Sequence, residues 1–166
     1  MKAVIDSSAL IHLGKIKRIS LLKKLFEKIY IPKEVYDEVI IKGKEKDKKE
    51  IILIEELIKN NFIEIKESFA KDYLQDLDIG EAKAISICKE LKIKNLIIDD
   101  TEGYETAEIL GLNPLRTSSL LFILLDNKHI DLKEYENALL ELSQSGYFMS
   151  AEIYQRLLSA GRNTRK

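Results

Sequence analysis

Five carboxylates stand at places in this chain where acids can do chemistry: Asp6, Glu38, Glu81 and the neighbouring pair Asp99 and Asp100. Gathered in one cleft they would repel, and some would hold a proton well above the usual carboxylate range unless a cation neutralised them. Hard divalent ions such as magnesium or manganese prefer oxygen ligands of this kind. Each acid also has a plainer structural job open to it. Asp6, Asp99 and Asp100 can each cap a following helix, Glu81 can serve a helix dipole, and Glu38 can be a solvated residue on a charged face.

The surrounding elements decide how these acids meet. Ala3-Val4-Ile5 is a short continuous apolar run of the kind a parallel strand buried on both faces requires, and Asp6 ends it. Ser7 and Ser8 follow, and Ala9, Leu10, Ile11 and Leu13 resume at a helical spacing. Asn95-Leu96-Ile97-Ile98 followed by Asp99-Asp100 repeats the pattern of an apolar strand ending in acid. Two acids that end buried parallel strands lie on one edge of the sheet, where open α/β sheets bind ligands. Glu81 falls in the first turn of a helix opened by Asp78-Ile79-Gly80, where the dipole favours an anion.

The totals bound the rest. A chain of 166 residues, 45% hydrophobic and 33% charged, has the size and balance of one globular domain with a heavily charged surface. Its 27 basic and 28 acidic residues leave a formal net charge of -1, so nucleic acid would have to be bound locally and not by a global basic field. The single cysteine, Cys88, excludes an intrachain disulfide and a multi-cysteine zinc site, and a reducing cytoplasm is its simplest home. Leu120 to Leu125 is too short to span a bilayer, and the N-terminus has no signal-peptide core, so no membrane anchor is expected.

In chain order, Ser20 to Phe26 reads as an amphipathic helix, Lys28 to Ile31 as a second strand, and Pro32 as the start of a helix carrying Val35, Val39 and Ile40 inwards. Lys42 to Glu50 is a mixed charge run, expected as a solvated loop or helix extension. Ile51 to Lys59 follows as a helix, Phe62 to Ile65 as a third strand, and Ala82 to Leu91 as a helix apolar on most of its circumference. Glu102 to Leu110 is a helix ended by Gly111, and Leu112 to Leu115 is a strand whose Pro114 suits only an edge. A helix capped by Ser118 or Ser119 runs to about Asp126, and two more cover Leu132 to Leu142 and Ser150 to Ser159. This alternation predicts a parallel α/β sheet covered on both faces, in one domain over 1–166, with a helical C-terminal extension from about 130.

Four segments in order resemble the PIN-domain nucleases, and within them an archaeal and bacterial branch related to the VapC toxins. They are Val4-Ile5-Asp6-Ser7-Ser8, Ile31-Pro32-Lys33-Glu34-Val35-Tyr36-Asp37-Glu38-Val39, Ile79-Gly80-Glu81-Ala82-Lys83-Ala84-Ile85 and Leu96-Ile97-Ile98-Asp99-Asp100. The C-terminal Gly146-Tyr147-Phe148-Met149-Ser150 and the closing helix resemble that branch as well, so the likeness covers about residues 3 to 160. The resemblance implies a three-layer fold with sheet order 3-2-1-4-5. It implies an endoribonuclease using magnesium or manganese, with Asp6, Glu38, Glu81 and Asp99 as its acidic metal site. Asp100 would be an alternative or added ligand, and Ser7 or Ser8 the supporting hydroxyl. RNA, an antitoxin protein and a second copy of the chain are the implied partners. Two positions depart from the branch: Tyr104 stands where an arginine is usual, and Ser119 where glycine is. A lost cation beside added Glu102 and Glu105 weakens a polyanion's approach, with Lys83, Arg116 and the Lys42 to Lys49 run as possible compensation.

The competing reading is a PIN fold without useful turnover, acting as an RNA-binding or protein-interaction module. A phosphoryl-transfer domain fits less well, because Ser8 stands where a haloacid-type phosphatase needs a second Asp, and a receiver needs its acidic pair on the first strand. His12, beside an apolar helical face, and His129, in a connection, read as structural or incidental, and Cys88 as a small core residue. The Leu121 to Leu125 segment or the terminal helices could form a homodimer face or belong to the core.

Overall fold

The computed structural model describes residues 1–69 and 74–164. At its centre is β1 (Lys2–Ile5), in which Ala3, Val4 and Ile5 are wholly buried, as an apolar strand covered on both faces must be. It pairs in parallel with β2 (Lys28–Pro32) on one side and β4 (Asn95–Ile97) on the other. β3 (Ile63–Lys66) and β5 (Asn113–Leu115) complete a parallel sheet of order 3-2-1-4-5, the order expected of a PIN-like α/β fold. Pro114 lies on the outer strand, where a missing amide proton breaks no ladder bond.

Successive β1 side chains enter opposite layers, following the two-residue period of a strand. Ala3 and Ile5 join a core with α1 (Ser7–Lys15), α4 (Ile51–Lys59), α7 (Thr117–Asp126) and α8 (Leu132–Gln144). Val4 joins α5 (Ile79–Glu90) and α6 (Thr101–Ile109) on the other face. Leu120, Leu121, Leu124 and Leu125 of α7 are buried, as the core alternative expects of that segment. No described helix is long and apolar enough to cross a membrane.

Three local expectations are corrected. The Ser20 to Phe26 helix is a 3-10 helix, Ile19–Lys24, with Ile19 and Leu22 buried beneath it. The helix opened by Pro32 runs as α2 (Lys33–Tyr36), a π-helical segment Asp37–Ile41 and α3 (Lys42–Glu45), so the charge run begins as helix. The π segment interrupts the 3.6-residue period on which a helical wheel rests. Neither Ser118 nor Ser119 caps α7: the helix starts at Thr117, and Ser118 is buried inside it with its Oγ 3.3 Å from the Tyr147 hydroxyl. A capping serine is unnecessary because a carboxylate from another strand takes the Thr117 N–H.

The last helix, α9 (Ala151–Asn163), is capped by the Ser150 hydroxyl and docks on α8. The wholly buried Tyr135 reaches across from α8, donating its hydroxyl to the Leu157 carbonyl at 3.0 Å, with its ring packed against Gly161. A methyl at Gly161 would collide with that ring. Gly161→Ala gains about 1 kcal/mol in helix propensity against roughly 1–3 kcal/mol for overpacking a site whose neighbour cannot yield. The steric cost prevails, and the variant is expected to melt several degrees below the wild type, with cleavage by protease in the 146–150 loop accelerated.

Candidate active site at the carboxyl edge of the sheet

The end of β1 delivers Asp6 to the sheet edge. Its backbone N–H continues the ladder to the Ile97 carbonyl at 3.0 Å, which fixes the residue against β4. Its Oδ1 accepts the Ala9 N–H at 2.9 Å and caps α1, so the plain structural role is real. The other oxygen, Oδ2, is buried and has no hydrogen-bond partner. The residue is 1% exposed. Burial is the main reason its carboxyl lies well above the usual range, and the charges of Asp99, Glu81 and Asp100 push it further, against the Ala9 N–H that lowers it.

Asp99, beyond the end of β4, is held at both oxygens by one residue. Its Oδ1 accepts the Thr117 N–H at 2.8 Å and its Oδ2 the Thr117 hydroxyl at 2.7 Å. Burial raises this carboxyl, while the Thr117 bonds, His12 and the Tyr147 hydroxyl oppose the rise. Asp100 caps α6, accepting the N–H groups of Glu102 at 2.8 Å and Gly103 at 3.0 Å. Glu81 stands in the first turn of α5, below the cap made by Asp78. Burial first, then the charges of Asp100 and Asp78, push its pKa to about 7. Gly103 lets α6 approach closely: a Cβ there would lie 2.5 Å from Ile98 Cδ1 and 3.3 Å from Glu81 Oε2.

Asp6 thus lies within reach of the charges of Asp99, Glu81 and Asp100, and Glu81 within reach of that of Asp100. Glu38 shares no cleft lining with these four acids. It is exposed on the π-helical segment and lines a separate groove with Ile11, Lys15 and Lys42. Ser7 and Ser8 are the half-buried first residues of α1, and Ser8 lines a cleft of about 350 Å³ with His12, Asp99, Asp100 and Arg116. His12 packs as a structural residue: it lies edge-on to Tyr147, and burial lowers its pKa despite the nearby Asp99 charge. His129 is exposed in its loop, and Cys88 is buried, its thiol pushed up to about 12.

Several residues of the site carry no obvious mark in the sequence. Thr117 lies two residues past β5 as Asp99 lies two past β4, and that shared strand-end position is the one signal for it. Glu34, one helical turn before Glu38, pairs with Lys83 and leaves its Oε2 buried and without a partner. That pairing engages Lys83. Arg116 instead reaches the cleft: its guanidinium lies 4.6 Å from the centroid of the Tyr104 ring, the residue at the usual arginine position. Arg116 thus brings a cation to Tyr104 from the end of β5.

The donor set is all oxygen, which suits a hard divalent ion, and the partnerless Asp6 Oδ2 is the atom such an ion would satisfy. Among the described residues, no three Asp, Glu, His or Cys side chains converge tightly enough to hold a metal ion as they stand. The acids fit in kind and neighbourhood, and coordination requires their side chains to close in.

The raised carboxyl values have a sign that can be checked. Glu81 binds its proton up to about pH 7 when folded but only to about 4.5 in its ordinary state. Between those values the folded state holds more protons than the unfolded one, so stability falls as pH rises. Asp6 and Asp99 act in the same direction. Without divalent ions, the melting temperature of the wild type is expected to drop relative to Glu81→Gln between about pH 4.5 and 7. Asp6→Asn, which keeps a capping oxygen and removes the charge, should also raise the metal-free melting temperature at pH 7. Thermal unfolding in EDTA across that range measures both.

No curated protein and no solved structure shows a significant match to the chain. A family model described as a PIN domain matches residues 2–162. PIN domains are generally nucleases, hydrolases that typically use divalent metals. With nearly the whole chain matched, and a parallel sheet of order 3-2-1-4-5 carrying its acids at the carboxyl edge, this chain belongs to the PIN-domain family.

Proposed function

We propose that this protein is a metal-dependent endoribonuclease that hydrolyses RNA phosphodiester bonds. The observation that carries the reading is the buried, partnerless Oδ2 of Asp6, set beside Glu81, Asp99 and Asp100. Burying mutually repelling carboxylates costs stability, and a cation in their midst reverses the sign of that interaction. Asp6, Glu81 and Asp99 would hold magnesium or manganese, with Asp100 at the rim. A bound divalent ion lowers the pKa of its water and offsets charge developing on the phosphate.

The chain's own residues do the positioning. The Ala9 N–H fixes one Asp6 oxygen and leaves the other free. Thr117 holds Asp99 at two points and so sets the plane of its carboxylate. Arg116 adds a positive charge at the cleft beside them.

The finer placement, a VapC-like toxin of a toxin–antitoxin system working in the cytoplasm with an antitoxin and a second copy of the chain, rests on the motif resemblance and the lone cysteine. A second reading, an RNA-binding or protein-interaction module with weak or no turnover, is favoured by one observation. Glu38 lines a different groove from the other acids.

Two measurements separate these readings. Millimolar manganese is expected to raise the wild-type melting temperature, by about 2.7 kcal/mol of stabilisation at 100 times Kd, and to leave Asp6→Asn/Asp99→Asn unmoved. In a cleavage assay on single-stranded RNA, the metal-loaded wild type should cut, and Asp6→Asn should be slower by roughly 100-fold or more, the scale for losing one charge-stabilising group. A manganese shift without cleavage selects the interaction module, and no shift overturns the metal site.

A further inference from the structure

The cleft beside Asp99 carries two flat surfaces that the acid cluster does not use. Phe148, in the loop between α8 and α9, is 95% exposed, although burying such a ring is favourable by ~1.5–3 kcal/mol. It lines the same cleft as Asp99 and Arg116. Arg116 supplies the second surface. Its guanidinium lies over the Tyr104 ring, 4.6 Å from the centroid, while Nη1 donates to the Asp99 carbonyl at 2.5 Å and Nη2 reaches the Thr101 hydroxyl at 3.5 Å. Two of its five N–H donors are thus engaged, and the guanidinium lines the cleft together with Phe148.

The charges of the cleft select the occupant. Asp99 and Asp100 line it, and Arg116 is the single Lys or Arg among its described lining residues. Without a metal ion, a phosphate seated there would meet two carboxylates against one guanidinium. A nucleobase is uncharged, stacks on aromatic rings and guanidinium planes alike, and presents exocyclic amino groups that carboxylates accept. The volume of about 350 Å³ falls within the ~300–1,000 Å³ of small-ligand sites.

We propose that this cleft is a nucleobase pocket, in which an unpaired base of single-stranded RNA stacks on Phe148 and on the Arg116 guanidinium beside the acid cluster. The RNA in this statement rests on the nuclease reading. The pocket goes past that reading by requiring an unstacked base next to the bond to be cut, and so a single strand over a duplex, whose bases are already stacked on one another.

The test is binding without turnover. Fluorescence anisotropy of a labelled single-stranded RNA and of a hairpin duplex of equal length is measured in EDTA for wild type, Phe148→Ala and Phe148→Trp. Because Phe148 packs against little, its replacement leaves the fold intact. Phe148→Ala is expected to weaken single-strand binding by roughly 5- to 150-fold, the range for loss of one base–aromatic stack. Duplex binding and the salt slope should stay as they were, since no phosphate contact is removed. The chain has no tryptophan, so Phe148→Trp should retain single-strand binding and report it by quenching of its only indole. Unchanged single-strand binding by Phe148→Ala, equal losses for strand and duplex, or a wild type that binds neither RNA overturns the pocket. A protein that cleaves RNA yet ignores Phe148 loses the pocket and keeps the nuclease. One that binds through Phe148 and never cleaves keeps the pocket and loses the nuclease.

Discussion

The interaction on which this structure depends is the division of labour between the two oxygens of Asp6. One closes the first turn of α1 at the Ala9 N–H, and the other is left in a dry place without a partner. Losing an aspartate cap costs about 1 kcal/mol, and leaving a buried acceptor unsatisfied costs about 1–3 kcal/mol. The cap alone therefore does not account for burying a carboxylate here. The excess is tolerable in the protonated acid, which explains why the group titrates high, or in the presence of a cation.

Around that residue the sheet acts as a ruler. Asp6 and Asp99 follow the ends of adjacent parallel strands, so the β1–β4 register sets the spacing of their backbones before any side chain is chosen. The third strand end, after β5, contributes Arg116 and Thr117. Thr117 reaches back to Asp99 with its N–H and its hydroxyl, tying the start of α7 to the site. Stability and site geometry therefore share bonds: the N–H that would otherwise be an orphan of a helix terminus is the same one that orients a carboxylate. On the other layer, the lack of a side chain at Gly103 brings α6 and its capping Asp100 against Glu81.

The cleft's polarity follows from where cations end up. Lys83 is drawn to Glu34, away from open solvent, and the lysines at 15 and 42 line the groove of Glu38. Among the described lining residues Arg116 is the one Lys or Arg beside Asp99 and Asp100, its guanidinium over the Tyr104 ring. Guanidinium suits that position because it can stack and donate at once, whereas an ammonium would be a point charge with no face.

The strands, their parallel arrangement and the edge on which Asp6 and Asp99 meet were legible in the sequence, because buried parallel strands are written as unbroken apolar runs and their ends mark one edge of the sheet. Helix Ile51–Lys59 was legible to the residue, since its apolar period is strong. Tertiary structure alone decided what no local pattern encodes. The cap of α7 was misplaced because its partner, Asp99, lies 18 residues earlier in the chain. The wheel of the helix after Pro32 put Val35, Val39 and Ile40 inwards and Glu38 off that face, as found, although the π-helical segment within it carries no local mark. Glu34, Tyr147 and the Arg116 to Tyr104 stack depend on long-range packing, in which charge and ring meet across elements that sequence spacing leaves unrelated. The sequence by itself determined which acids end strands, through local chain chemistry. The folded molecule decided which oxygens are left without partners and which cation stands beside them, because desolvation and pairing exist only once the elements have packed.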